Sequence, residues 1–96
     1  MTSRENLIRQ VDELISAGEE LLKNSNAEGK GKVDRKMFSE WRTRAMSFIE
    51  RSFKKQNIYL ENFKKEVEYP EKQFVEVGVG ILRAVKKDIE SGDYAQ

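Results

Sequence analysis

The side chains that could do chemistry in this chain are its Lys, Arg, Asp and Glu residues, because the 96-residue sequence contains no Cys and no His. Without Cys there are no disulfides, thiolate metal ligands or cysteine nucleophiles, and without His the commonest metal ligand and general base are missing. The carboxylates mostly stand four residues from a base, as Glu61 does from Lys65, which is typical of exposed helix faces. We therefore predict no catalytic residue, no metal site and no cofactor, and we expect the protein not to be an enzyme.

Two glycine-containing segments invite comparison with nucleotide-binding loops. In the first, Gly31 and Lys32 would need a glycine at position 26 to complete a phosphate-binding loop, and that residue is Asn26. The second, residues 78–80, lacks the third glycine and the strand-then-helix context of a dinucleotide fingerprint. We interpret its small residues as permitting close packing of another helix.

Basic residues in the middle of the chain suggest nucleic-acid binding as the alternative function. The residues that would contact phosphates are Arg42, Arg44, Lys54, Lys55, Lys64 and Lys65. A small helical domain could present such a stripe to a nucleic-acid backbone. However, glutamates are interleaved with these bases, and the isoelectric point of about 7.9 is below the value above 9 that is typical of such domains.

Aromatic residues are the candidate contacts for a protein partner, since they carry a large share of interface energy. We select Trp41, Phe53, Tyr59 and Tyr94 for this role. The alternative for all four is core packing, and we favour it for Trp41 and Phe53. Because the indole N–H of a buried tryptophan needs a hydrogen-bond partner, we expect Trp41 at the margin of the core.

Four amphipathic helices must position these side chains. Apolar residues recur at three- and four-residue spacing over residues 3–24, 34–54, 57–68 and 73–91. Thr2 or Ser3, Asp34 and Asn57 are predicted N-caps, and Gly92 is a predicted C-terminal stop. The connections after the second and third helices are short, so we predict an all-α, compact four-helix bundle over residues 1–96, a single domain with a long flexible first connection at 25–33.

Two features of these helices need tertiary packing to be explained. Gly18 lies inside the first helix, where glycine costs about 1 kcal/mol relative to alanine. There are two alternatives: a neighbouring helix approaches closely and compensates for this cost, or Gly18 is an indifferent surface position. In the fourth segment, Val75, Val77 and Val79 alternate with other residues as in a strand. A strand needs a hydrogen-bonded partner, which no other segment offers, so we predict a helix.

The chain has no segment resembling a secretory signal or a membrane span. Its 18 basic and 17 acidic residues leave a net charge of +1, with no charged tail. We therefore expect a cytoplasmic protein with no membrane association.

The middle and end of the chain resemble a pattern in small helical modules of bacterial proteins. Trp41 to Phe53 reads W-x-x-x-A-x-x-F-[LI]-x-x-x-F, Tyr59 to Phe63 reads Y-x-x-x-F, and 78–84 reads G-[IV]-x-I-L-x-A. This pattern, over about residues 38–92, is similar to the N-terminal accessory regions of predicted nucleotide-binding, TIR-like or abortive-infection proteins of bacterial defence. The resemblance implies an interaction or regulatory module and transfers no catalytic residue.

From these observations we predict a non-enzymatic helical module that associates with a protein partner or with itself. Because an effector domain typically follows such modules, we expect these residues to be the N-terminal part of a longer bacterial protein.

Overall fold

The computed structural model describes residues 3–24, 31–53 and 57–94, which form a compact all-α bundle of four helices. The helices are α1 (Arg4–Asn24), α2 (Arg35–Ser52), α3 (Ile58–Glu66) and α4 (Lys72–Glu90). The predicted fold class is confirmed. The third helix is shorter than expected, since it ends at Glu66 and Val67 is its C-cap.

Consecutive helices run antiparallel, and α4 packs back against α1. The α1–α4 pair is joined near one end by the Arg4 guanidinium, which donates to the Glu90 carbonyl at 3.3 Å. Further along, the Lys86 ammonium lies 2.8 Å from the Asp12 carboxylate. The order of these contacts along the two helices requires opposite directions, so α1 and α4 close the bundle.

Local capping explains where the helices begin and end. The side-chain oxygens of Ser3, Asp34 and Asn57 accept backbone N–H bonds three residues ahead, at 3.2, 2.9 and 3.1 Å. At the end of α4, Gly92 has φ 84°, and the N–H groups of residues 92 and 93 donate back to the carbonyls of residues 89 and 88. The predicted caps at Asp34 and Asn57 and the predicted stop at Gly92 are therefore confirmed, while Thr2 lies outside the described residues.

Residues 31–33 are held by the connection between α3 and α4. The Val33 N–H donates to the Pro70 carbonyl at 3.1 Å, and the Lys72 N–H donates to the Gly31 carbonyl at 2.6 Å. The Val33 side chain is buried. These contacts hold the last three residues of the predicted first connection, and its other residues, 25–30, lie outside the described part of the chain.

The core centres on Trp41 of α2. Its side chain is only 3% exposed, and its indole N–H donates to the Leu14 carbonyl of α1 at 2.9 Å. The prediction that Trp41 lies at the margin of the core is therefore wrong, because a backbone carbonyl of α1 supplies the partner that burial requires.

Two helical glycines make room for this tryptophan. A Cβ on Gly18 would lie 2.6 Å from Val79 Cγ2 and 3.0 Å from Trp41 Cζ2. A Cβ on Gly78 would lie 2.6 Å from Trp41 Cη2. Gly18 thus permits the close helix approach given as the first alternative, and Gly78 performs the same function from α4.

Candidate functional site: the apolar stripe of α4

The four aromatic residues predicted to contact a partner lie in different environments. Trp41 is buried in the core with 3% of its surface exposed, as the core-packing alternative expects. Phe53 and Tyr59 are half-buried and pair with their ring centroids 5.3 Å apart. Tyr94 is half-buried beyond the end of α4 and packs against the core.

Tyr59 also connects α3 to α4 through a polar contact. Its hydroxyl donates to Asp88 Oδ2 at 2.5 Å. This hydrogen bond, with burial and the negative charges of Asp88 and Asp93, raises the pKa of Tyr59 to about 12. The phenol therefore stays protonated at neutral pH and acts as a hydrogen-bond donor within the fold.

The basic residues predicted to contact nucleic acid do not form one continuous described surface. The Arg42 guanidinium donates to the carbonyls of Val67 and Lys64, so it satisfies backbone groups at the end of α3. Lys64 and Lys65 are exposed in the last turn of α3, and Arg44 is exposed on α2. The remaining two residues of the predicted set, at positions 54 and 55, lie outside the described residues.

Arg44 belongs to a different face from the lysines of α3. It lines a shallow groove of about 290 Å³ between α1 and α2, together with Arg51 and Glu13. Glu13 places a negative charge in this groove. A uniformly positive surface for a phosphate backbone is therefore not formed here.

A row of apolar residues lies along α4 beside its core face. We use the name α4 stripe for four apolar residues at alternating spacings of three, four and three: Phe74, Val77, Ile81 and Ala84. Val77 is 43% exposed, and the other three are partly buried. Tyr69, which is 55% exposed, extends the stripe by packing against the edge of the Phe74 ring, with centroids 5.4 Å apart.

The α4 stripe is separate from the face by which α4 contributes to the core. The core face consists of Val75, Gly78, Val79, Leu82, Val85 and Ile89. Because successive helix residues are rotated by about 100°, these residues and the stripe occupy adjacent arcs. The helix therefore has more apolar residues than the bundle can cover.

Gly80 lies beside the stripe and is exposed. A Cβ added to it would meet no atom within 4 Å, unlike one added to Gly78. Glycine inside a helix costs about 1 kcal/mol relative to alanine. Packing in the described part of the chain therefore does not offset the helix-propensity cost of Gly80.

The exposed charges beside the stripe are divided along the helix. Glu76 lies in the first half of α4, and Arg83 and Lys87 lie in the second half, all exposed. Arg83 forms an ion pair with Glu19 of α1. Among the described residues, Glu76 and Lys87 form no ion pair through their side chains.

Sequence reasoning did not select the α4 stripe because it assigned all the apolar residues of this helix to one amphipathic pattern. The sequence signal that indicated a second apolar face was the alternation of Val75, Val77, Val79 and Ile81 with other residues. In a helix, alternating residues cannot share one narrow face, since two steps rotate the side chain by about 200°. The same residues that resembled a strand therefore indicated a second apolar arc.

No family model, curated protein or solved structure matches this chain. Among the described helices, none combines the length and the apolar character needed to cross a membrane.

Proposed function

We propose that this protein is a helical protein-interaction module that binds the apolar surface of another protein molecule through the α4 stripe. The observation that supports the proposal is the exposure of Val77 and Tyr69 on either side of the partly buried Phe74. A contiguous apolar surface of this kind marks interaction sites in soluble proteins. Association would transfer this area from water into an interface, with a gain of about 25 cal/mol per Å² of apolar surface before the costs of binding.

The position of the stripe on a long helix favours recognition by packing. α4 has 19 residues and contacts α1 over much of its length, so it presents its side chains on a rigid support. A pre-ordered surface loses little conformational entropy on binding. This agrees with the interaction or regulatory module that the resemblance to bacterial defence proteins implies.

Nucleic-acid binding remains the alternative prediction, and the geometry favours it less. Arg42 uses its donors on backbone carbonyls, and the groove that contains Arg44 also contains Glu13. A phosphate-binding surface would have to rely on the other basic residues.

A site-specific photo-cross-linker tests the proposed function in cells that express the protein. We would replace Val77 with benzoylphenylalanine and use Met37 as the matched control, because Met37 is an exposed apolar residue of α2 with 47% exposure. We expect protein adducts from position 77 and few from position 37, each identified by mass spectrometry. Equal yields at the two positions, or no protein adduct from position 77, would contradict the proposal.

A further inference from the structure

We propose that residues 31–33 and 70–72 form a clasp that opens as one unit while the rest of the bundle stays folded, and that its opening releases the first turn of α4. The first half of the clasp belongs to the connection between α1 and α2, and the second half joins α3 to α4. Only the consequence for partner binding rests on the proposed function, because the first turn of α4 contains one end of the α4 stripe.

Backbone hydrogen bonds join the two halves of the clasp. The Val33 N–H donates to the Pro70 carbonyl at 3.1 Å, and the Lys72 N–H donates to the Gly31 carbonyl at 2.6 Å. The residues between these pairs lie opposite each other as an antiparallel bridge. The clasp therefore ties together two connections that are far apart in the sequence.

The clasp caps α4 in place of a side chain. Glu71, the N-cap residue of α4, makes no capping hydrogen bond through its side chain. The Lys72 N–H is satisfied by the Gly31 carbonyl instead, and the N–H groups of Phe74 and Val75 both donate to the Glu71 carbonyl, at 3.0 and 3.2 Å. Opening the clasp frees the backbone on which these bonds depend, so the first turn of α4 opens with it.

The clasp also holds the aromatic pair at the end of the α4 stripe. Tyr69 directly precedes Pro70, and Phe74 lies in the first turn of α4. The two rings pack edge to face with their centroids 5.4 Å apart. Because opening frees the backbone beside both rings, the partner surface is complete only while the clasp is closed.

The side-chain packing of the clasp depends on one buried residue. Val33 is 6% exposed, whereas Gly31, Lys32 and Lys72 are exposed. The helices α2 and α4 make few direct contacts, while the rest of α4 packs against α1. Regions with few buried apolar contacts open with free energies below that of global unfolding. The clasp therefore opens before the remainder of α4.

Two glycines at opposite ends of α4 provide a matched test. Gly31 has φ 71° and Gly92 has φ 84°, and a Cβ added to either would meet no atom within 4 Å. Replacement by alanine therefore strains the backbone at both positions without a steric clash. This strain should change a local opening equilibrium about tenfold. Opening of the clasp relieves the strain at residue 31 but not at residue 92.

Native-state hydrogen exchange by NMR, on the chain alone, measures both variants. We expect the N–H groups of Val33, Lys72, Phe74 and Val75 to share one opening equilibrium. Gly31→Ala should accelerate their exchange about tenfold, and Gly92→Ala should leave it unchanged. Amides that exchange only on global unfolding, such as that of the buried Leu82, should be accelerated equally in both variants.

Two results would overturn the inference. If Gly92→Ala accelerates the four amides as much as Gly31→Ala does, they open only when the whole bundle unfolds. If Gly31→Ala accelerates Val33 and Lys72 but not Phe74 and Val75, the clasp does not hold the first turn of α4. Because exchange is measured without a partner, either result leaves the cross-linking test at position 77 intact. Failure of that test would remove the role of the clasp in binding but not the clasp itself.

Discussion

Gly78→Ala and Gly80→Ala form a matched pair that separates helix propensity from tertiary packing. Both residues lie inside α4 two positions apart, and each substitution should gain about 1 kcal/mol in intrinsic helix propensity. At Gly78 the added Cβ would lie 2.6 Å from Trp41 and 3.2 Å from Phe63 and Val67. At Gly80 it would meet nothing within 4 Å.

The two substitutions should therefore change stability in opposite directions. Overpacking of a filled core costs typically 1–3 kcal/mol, which exceeds the propensity gain at Gly78 for most of that range. We expect Gly78→Ala to lower the free energy of unfolding by about 1 kcal/mol and Gly80→Ala to raise it by about 1 kcal/mol. In a domain of this size, each kcal/mol corresponds to a shift in Tm of roughly 4–8 °C.

Urea unfolding followed by the fluorescence of Trp41, the single tryptophan of the chain, measures both variants. Both variants are compared with the unmodified chain at the same protein concentration. If both variants shift the urea midpoint by equal amounts in the same direction, the close packing around Gly78 does not exclude a methyl group at that position. The account of how the glycine accommodates Trp41 would then be refuted.

Two further predictions concern contacts made by Arg42 and Tyr59. Arg42→Ala should lower the free energy of unfolding by about 1–2 kcal/mol, because it leaves carbonyls at the end of α3 without their charged donor. Arg44→Ala is the exposed control. Equal losses of stability in the two variants would show that the contact between Arg42 and α3 contributes nothing. Tyr59→Phe should cost about 1 kcal/mol at pH 7, measured by urea unfolding, because the hydrogen bond to Asp88 is lost. Since folding raises the pKa of Tyr59 from 10.0 to about 12, its contribution is fully present below pH 10 and is lost as the pH rises through 12. The stability gap between the unmodified chain and Tyr59→Phe should therefore shrink over this range, and a gap that stays constant would argue against the hydrogen bond.

The helices and several of their ends could be read from the sequence because the signals are local. Asp34 and Asn57 cap the helices that follow them, and Gly92 adopts the positive φ that ends α4. Such preferences depend on the backbone within about four residues, so they require no knowledge of the fold. Short connections then restrict neighbouring helices to antiparallel packing.

The position of Trp41 could not be predicted in this way. Its indole donates to a carbonyl 27 residues away, on a different helix. A backbone acceptor that already belongs to a helix gives no signal in the sequence. Only the packing of α1 against α2 brings Leu14 within reach of the ring.

The α4 stripe depends on tertiary structure for a related reason. The sequence of α4 contains two apolar arcs, and periodicity alone does not say which one the bundle covers. Gly78 decides this, because its missing side chain admits Trp41 on one arc and leaves Val77 on the other arc exposed. Local preferences thus determine that residues 72–90 form a helix, while the volume available around a distant tryptophan determines which face of that helix remains in contact with solvent.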